Sequence, residues 1–525
     1  MAKKKAAAPA TDANSDSNPG TGPEVTEVDV LIVGAGISGI GVACRLHMNH
    51  PGLTLRILDR RARIGGTWDL FRYPGIRSDS DMYTFGYDFK PWTDSVPLAS
   101  GAAIRQYLHE TADDFNLHGE IDFGTTVTAA DWSTKQQRWT VRAEGPDNVA
   151  HNYIARFLVG CTGYYDYDQG YRPAFPNEEA FGGQIIHPQH WPADLDYAGK
   201  SVAVIGSGAT AVTLVPTMAD TAGHVTMIQR SPTYIVPMPG ENKLVKTLGN
   251  YLPDAAVYRI VRSLTLGFGQ LSYAAMRTFP TQIKSAIVKM VGKQLRPGID
   301  LAHFTPTYDP WDQRVCVVPN GDLFTALNED RAEIVTDTIA EFTPTGITLT
   351  SGRHIDADII VTATGLTVKV NGGVALSIDG EPVDIADRLT YKAVLIDRVP
   401  NAAYIFGYTN ASWTLKVDIA AEYLSRLLSY MDSHNYAVVA PQSAPGEAST
   451  GSVFGNLTSG YVKRGEDKLP RQGTSGPWVV RHSYWRDWRM LRKSPIEDPN
   501  LRFTPANPRA ITAAPTPPAR DRVTA

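Results

Sequence analysis

Residues Val28–Ile40 read VDVLIVGAGISGI, and this stretch decides the fold. Val28 to Val33 is a short apolar run, the pattern of a strand covered on both faces. Gly34, Gly36 and Gly39 follow in G-x-G-x-x-G spacing and lead into the helix-like SGIGVACRL. Gly34 permits the tight turn, Gly36 lets backbone approach a pyrophosphate, and Gly39 lets helix pack on strand. The helix N-terminus, with Ser38 beside it, then presents free N–H groups to an anion. The next strand, LTLRILD, ends in Asp59, placed where a carboxylate would bond ribose hydroxyls. The competing reading, a glycine turn in a ligand-free α/β domain, does not account for the terminal acid.

A second cradle follows in SVAVIGSGATAV, where Gly206 and Gly208 hold the first two glycine positions and Ala211 the third. Alanine is an accepted variant there, and Thr210 stands just before it. After the strand HVTMIQ, the acidic position is taken by Arg230 and Ser231. A carboxylate would repel a 2′-phosphate, whereas arginine and a hydroxyl would bind one, so this cradle predicts NADPH. Arg230 also reads as a plain surface arginine at a strand end. Two cradles in one chain imply two cofactors, FAD in the first and the nicotinamide in the second. Two strand ends in small residues, FLVGCTGYY (Thr162, Gly163) and DIIVTATGL (Thr364, Gly365), mark crossings between the nucleotide-binding units.

Composition narrows the classes. The 525 residues carry a net charge of −4, which gives no global basic field for nucleic acid. Cys44, Cys161 and Cys316 lie far apart with no C-x-x-C, which excludes a zinc ribbon, an iron–sulfur protein and a paired-thiol redox centre. A disulfide reductase, which shares the two-cradle plan, is excluded on the same ground. No apolar run is long enough to span a bilayer, and no apolar core follows Lys3–Lys5, so a cytoplasmic protein is expected.

Three further segments carry a resemblance. GGTWDLFRYPGIRSD runs from Gly65 to Asp79 and includes Gly66, Thr67, Trp68 and Tyr73. FGGQIIHPQHWP contains Phe181, Gly183, His187, Trp191 and Pro192, just ahead of the second cradle. YDPWDQRVCVVPNGDLF surrounds Gln313 and Arg314. Together they resemble the Baeyer–Villiger monooxygenases within the flavin-containing monooxygenase group. With RYPGIRSDSDMYTF, GSGATAVTLVP and GYTNASWTLK, the chain looks most like the ethionamide-activating branch. Ala193 is a small departure after the Trp-Pro motif.

The resemblance implies an α/β fold of two Rossmann-like dinucleotide-binding domains, for FAD and NADPH, with a helical insertion. It implies an NADPH- and O2-dependent flavoprotein that converts ketones to esters or lactones through a flavin peroxide, with sulfoxidation as a further activity. Arg314 matches the family's active-site arginine, and Asp79 the carboxylate that pairs with it. A permanent cation keeps a peroxide deprotonated, and arginine cannot act as a proton donor at neutral pH. The plain reading of Asp79–Arg314 is a structural ion pair. A lysine often precedes the arginine in this family; here Gln313 stands there, which shifts the 2′-phosphate to Arg230. His187 and Trp191 are expected to couple domain motion to catalysis, with a buried satisfied histidine as the bland alternative. His187 and His190 form H-x-x-H, but no third ligand stands at metal spacing, so no metal is expected. Trp68 and Tyr73 are expected near FAD, by packing or by contact. Two other functions stay open: a flavin monooxygenase acting on sulfur or nitrogen nucleophiles, and a non-catalytic flavoprotein redox sensor.

The expected organisation is a loose tail (1–26), a first FAD-binding part (27–165), a first NADPH-binding part (166–240), a helical insertion (241–301), a second NADPH-binding part (302–365), a second FAD-binding part (366–504) and a loose tail (505–525). The insertion reads as part of the NADPH domain. Its apolar residues alternate with Arg259, Arg262, Lys284, Lys289 and Lys293, a pattern that suits either a solvated helical face or weak peripheral contact with anionic lipid. Ile419, Leu424, Leu427, Leu428 and Met431 predict one core face of a late helix. Substrate identity and oligomeric state are not encoded in these motifs.

Overall fold

The computed structural model of the chain describes residues 25–455 and 457–507. Most of both expected tails lies outside the described residues. Val25 and Thr26, placed in the first tail, belong to a strand, and Pro505 ends the last one.

Strand β1 (Val25–Val33), helix α1 (Ile37–Asn49) and strand β2 (Leu55–Asp59) form the predicted opening unit. Val30, Leu31 and Ile32 are almost wholly excluded from solvent because strands flank β1 and helices cover it. Strands β3 (Ile121–Phe123), β4 (Thr126–Ser133), β5 (Arg138–Glu144) and β6 (Ala150–Gly160) complete its core. β1 runs parallel to β2 and β6, with Val33 opposite Leu58 and Gly160. β3 continues the sheet beyond β2 in parallel, while β5 and β4 extend the other side antiparallel.

A second sheet is formed by β7 (Gln184–Ile186), β8 (Ser201–Ile205), β9 (His224–Gln229), β10 (Ala332–Thr336) and β11 (Ile359–Thr362). Its order is β10-β9-β8-β11-β7, all parallel. Helix α2 (Ala209–Ala219) follows β8. Each unit is thus a strand–glycine turn–helix crossover, and both crossovers deliver their turns to the carboxyl ends of the strands.

Three helices follow: α3 (Lys243–Gly249), α4 (Asp254–Thr278) and α5 (Pro280–Gly292). They do not sit on the second unit alone. Ile287 and Val291 of α5 join the core of the second unit, but α4 leans on the first. Tyr258 donates to the Tyr87 carbonyl at 2.9 Å, and Arg262 donates to the carbonyls of Tyr83 and Gly86 at 2.9 and 2.7 Å. Arg262 also pairs with Asp418 at 2.9 Å. Burying a guanidinium requires a carboxylate and further acceptors, and the first unit supplies them. Arg262 therefore does not belong to a solvated basic face, and the insertion clasps both units.

Strand β12 (Ala402–Tyr404) returns beside the end of β6, and helix α6 (Trp413–Ser433) packs across α1. All five residues expected on its core face are buried. No described helix is long and apolar enough to cross a membrane.

Candidate functional site

A cleft of about 850 Å3 opens where the carboxyl ends of the two parallel cores meet. From the first unit it is lined by Gly36, Ser38, Thr67, Trp68, Tyr73 and Asp79. From the second it is lined by His187, Gly206, Gly208, Thr210, Arg230, Ser231, Gln313 and Arg314. Gly34, Gly39, Asp59, Gly66 and Ala211 are set back behind this lining.

The glycines shape the floor. Gly34 has φ +110°, and a Cβ there would stand 2.6 Å from the Cys161 carbonyl oxygen. A Cβ on Gly39 would stand 1.8 Å from the Gly34 oxygen, so helix and strand touch without a side chain between them. Gly66 lies so close to Gly36 that its Cβ would sit 3.0 Å from the Gly36 Cα. No side chain caps the N-terminus of α1 or α2, and a Cβ on Gly208 would meet nothing within 4 Å. Two helix N-termini with uncapped amides, the second with an open approach, fit the pyrophosphates of two dinucleotides.

Asp59 ends β2 as expected, but both carboxylate oxygens are engaged. They accept from the amides of Ala35 (2.6 Å) and Arg61 (2.8 Å), tying the glycine loop to the strand end. Burial pushes its carboxyl above the ordinary value. Below it, Asp69 is 2% exposed and holds Arg61, Arg63 and Arg72, an ion cluster beneath the GGTW turn that sequence reading missed.

Trp68 meets Phe85 edge-on at 5.8 Å. Tyr73 of the YPG segment lies beside Thr210 of the second cradle in the cleft wall, and burial pushes its hydroxyl up to about 12. Thr67 accepts from Tyr165 at 2.7 Å, and Ser38 accepts from the Trp413 indole at 2.8 Å.

Arg314 emerges from a strained turn. Trp311 has φ +70°, a left-handed conformation rare for a bulky residue and costing about 1–3 kcal/mol. Arg277 and Asp312, paired at 2.7 Å, hold the turn from outside. Burial works against the charge on Arg314, but Tyr461, Tyr164 and Asp79 outweigh it and keep the guanidinium above its ordinary value. Asp79 is exposed and acts through space; among the described residues no contact of ion-pair length joins it to Arg314. Tyr164 stacks on Trp413 (5.5 Å) and on Tyr461 (6.0 Å). The Tyr461 hydroxyl is buried with no hydrogen-bond partner. An aromatic chain thus runs from Ser38 through Trp413, Tyr164 and Tyr461 to Arg314. Of these links, the GYTNASW and CTGYY turns were visible as motifs, whereas nothing in the sequence marks Tyr461.

Arg230 shares its end of the cleft with Arg464, a residue the sequence reading also missed. Arg464 lies 3.4 Å above the Tyr171 ring, and burial, with the nearby Arg230 charge, lowers it below its ordinary value. Neither arginine forms an ion pair among the described residues, and a pair of cations without a carboxylate fits a phosphate group. Ser207 donates to the Ser231 carbonyl at 3.1 Å, which fixes the turn beneath them.

The segment before the second cradle is mostly packed. Phe181 meets Phe342 edge-on at 6.4 Å, and a Cβ on Gly183 would stand 2.3 Å from the Asp358 oxygen. Trp191, followed by Pro192, packs against the second unit's core. His187 accepts from the Gln189 amide at 3.2 Å, and burial holds its imidazole below the ordinary value. Its other nitrogen, Nε2, is buried without a partner. Among the described residues no group of three His, Cys, Asp or Glu stands in metal-binding geometry.

Comparison with known proteins agrees with this geometry. The profile of the family described as flavin-binding monooxygenase-like matches residues 27–371. The putative FAD-containing monooxygenase MymA of Mycobacterium tuberculosis is 50% identical over 483 residues, covering 91% of this chain and 98% of that protein. The FAD-containing monooxygenase EthA of the same organism is 48% identical over 478 residues, covering 91% and 97%. Among solved structures, an oxidized steroid monooxygenase bound to NADP superposes with a TM-score of 0.71 at 25% identity, covering 92% of this chain and 100% of that one. The chain belongs to the flavin-binding monooxygenase-like family and is a flavoprotein monooxygenase built on two dinucleotide-binding folds.

Proposed function

We propose that the chain is an FAD-dependent, NADPH- and O2-consuming Baeyer–Villiger monooxygenase, which converts a small ketone to an ester or lactone and also oxidises thioethers. One observation carries this reading: Arg314 lines the cleft between both cradles, held charged beside Tyr461 and Tyr164 and without a carboxylate in ion-pair contact.

The glycine slot at α1 (Gly34, Gly36, Gly39, Gly66), with Ser38, Thr67 and Trp68, holds FAD, and Asp59 secures its loop. The turn at α2 (Gly206, Gly208, Thr210, Ala211) holds NADPH, with Arg230, Ser231 and Arg464 on the 2′-phosphate and Gln313 beside them. FAD, when bound, accepts hydride from NADPH and activates O2. The chain does the rest. Arg314 supplies a fixed positive charge where oxygen gains negative charge, and a water-poor cleft strengthens that effect. Asp79 orients the guanidinium through space. Tyr73 and Thr210 keep the two cradles in register, and His187 with Trp191 transmits movement between the units.

The test is a panel of ketones with NADPH and isotopically labelled O2. One labelled oxygen in an ester product is expected; hydrogen peroxide as the sole product across the panel overturns the reading. A second outcome, oxidation of thioethers and amines only, would favour a flavin monooxygenase of soft nucleophiles.

A further inference from the structure

We infer that the exposed face of α4 docks on an anionic lipid surface, independently of the reaction proposed above. Ile260, Leu264, Phe268 and Leu271 recur every three or four residues and share one face, roughly 16 Å long at 1.5 Å per residue. This face points away from the protein. Phe268 is 75% exposed and Leu271 73%, and Phe279 extends the apolar line into the turn before α5. From Ser263 to Met276 there is no charged residue. The opposite face of α4 is occupied by the Tyr258 and Arg262 contacts, so the stripe is no remnant of the core.

Charge identifies the occupant. Residues 241–301 hold nine lysines and arginines against three aspartates and glutamates, in a chain whose net charge is −4. Lys246, Arg262, Arg277 and Arg296 are neutralised by ion pairs. Lys243, Arg259, Lys284, Lys289 and Lys293 have none among the described residues. An apolar stripe in a segment that also carries unpaired cations is the pattern that inserts shallowly into a headgroup layer. A second copy of the chain fits poorly, because a two-fold contact would set this positive region against itself.

The test uses the full-length holoenzyme with vesicles of phosphatidylcholine alone and of phosphatidylcholine mixed with phosphatidylglycerol. Co-sedimentation at least about tenfold stronger on the mixed vesicles, and falling as salt is raised, is expected. Phe268→Ser with Leu271→Ser should lose most of that binding while NADPH oxidation in solution is unchanged. Lys284→Gln, Lys289→Gln and Lys293→Gln together should abolish the preference for the anionic vesicles. Equal binding by wild type and both variants, or no binding to either vesicle, overturns the inference. A dimer in sedimentation that the Phe268→Ser, Leu271→Ser variant dissociates overturns it as well, by making a second copy the occupant.

Discussion

Arg262 of the insertion and Asp418 of α6 form a buried ion pair at 2.9 Å, and through it a segment that interrupts the second unit is anchored to the first. Asp418→Asn leaves the guanidinium in place without its counter-charge. Removing one partner of a buried pair costs about 3–5 kcal/mol. Thermal denaturation of the holoenzyme should show a clear drop in Tm. Replacing both residues by apolar ones of similar volume should recover much of it.

Arg314→Ala removes the cation from the cleft. Losing one group that stabilises developing charge lowers kcat by about 10²–10³-fold. Ester formation should fall by that factor while NADPH is still consumed and hydrogen peroxide released. Unchanged ketone oxidation would remove Arg314 from its assigned role.

Arg230 and Arg464 predict a specific change in nucleotide preference. Each charge-assisted hydrogen bond is worth about 1.5–3 kcal/mol, so replacing both arginines by alanine should raise the KM for NADPH at least tenfold. The KM for NADH should change little, since it carries no 2′-phosphate. Equal effects on both nucleotides would place the arginines elsewhere in binding.

Tyr461→Phe deletes a hydroxyl that has no protein partner. The fold should therefore be unaffected, with Tm unchanged. If the hydroxyl meets substrate or oxygen beside Arg314, the ratio of ester to hydrogen peroxide should fall several-fold. An unaltered ratio would leave Tyr461 as packing.

Asp81 caps the short helix Met82–Phe85 through the Tyr83 amide. Burial, against two backbone hydrogen bonds, pushes its carboxyl up to about 6 from 3.8. The folded protein thus binds this proton more tightly than the unfolded chain. Its contribution to stability is complete below pH ~4 and is lost as pH rises through about 6. The amount is at most about 3 kcal/mol. Asp81→Asn should flatten the Tm–pH curve over this interval.

Much of this architecture was legible because backbone geometry restricts residue choice. The Gly34 and Gly39 positions admit no Cβ, so the sequence there could hardly read otherwise. The late helix was legible from the spacing of Ile419, Leu424 and Leu428, which has one buried solution. Arg262 was misread because periodicity counts a charged residue as surface, and only tertiary contact reveals a buried partner 156 positions away. Tyr461 and Arg464 were silent for a related reason. They come from a short late helix, Gly460–Gly465, that carries no motif spacing, and only the fold brings them beside Arg314 and Arg230. Asp59 was found by position, yet its loop-tying contacts could not be read from spacing alone.

The three cysteines, free and buried, acquire a meaning from where they lie. Cys161 and Cys316 stand at the cleft wall. Burial pushes the Cys316 thiol up to about 12 and the other two higher still. Only the thiolate reacts readily with hydrogen peroxide, and at neutral pH almost none is present. Thiols this poor in thiolate at the cleft wall offer little for an oxidant in the cleft to convert to sulfenic acid.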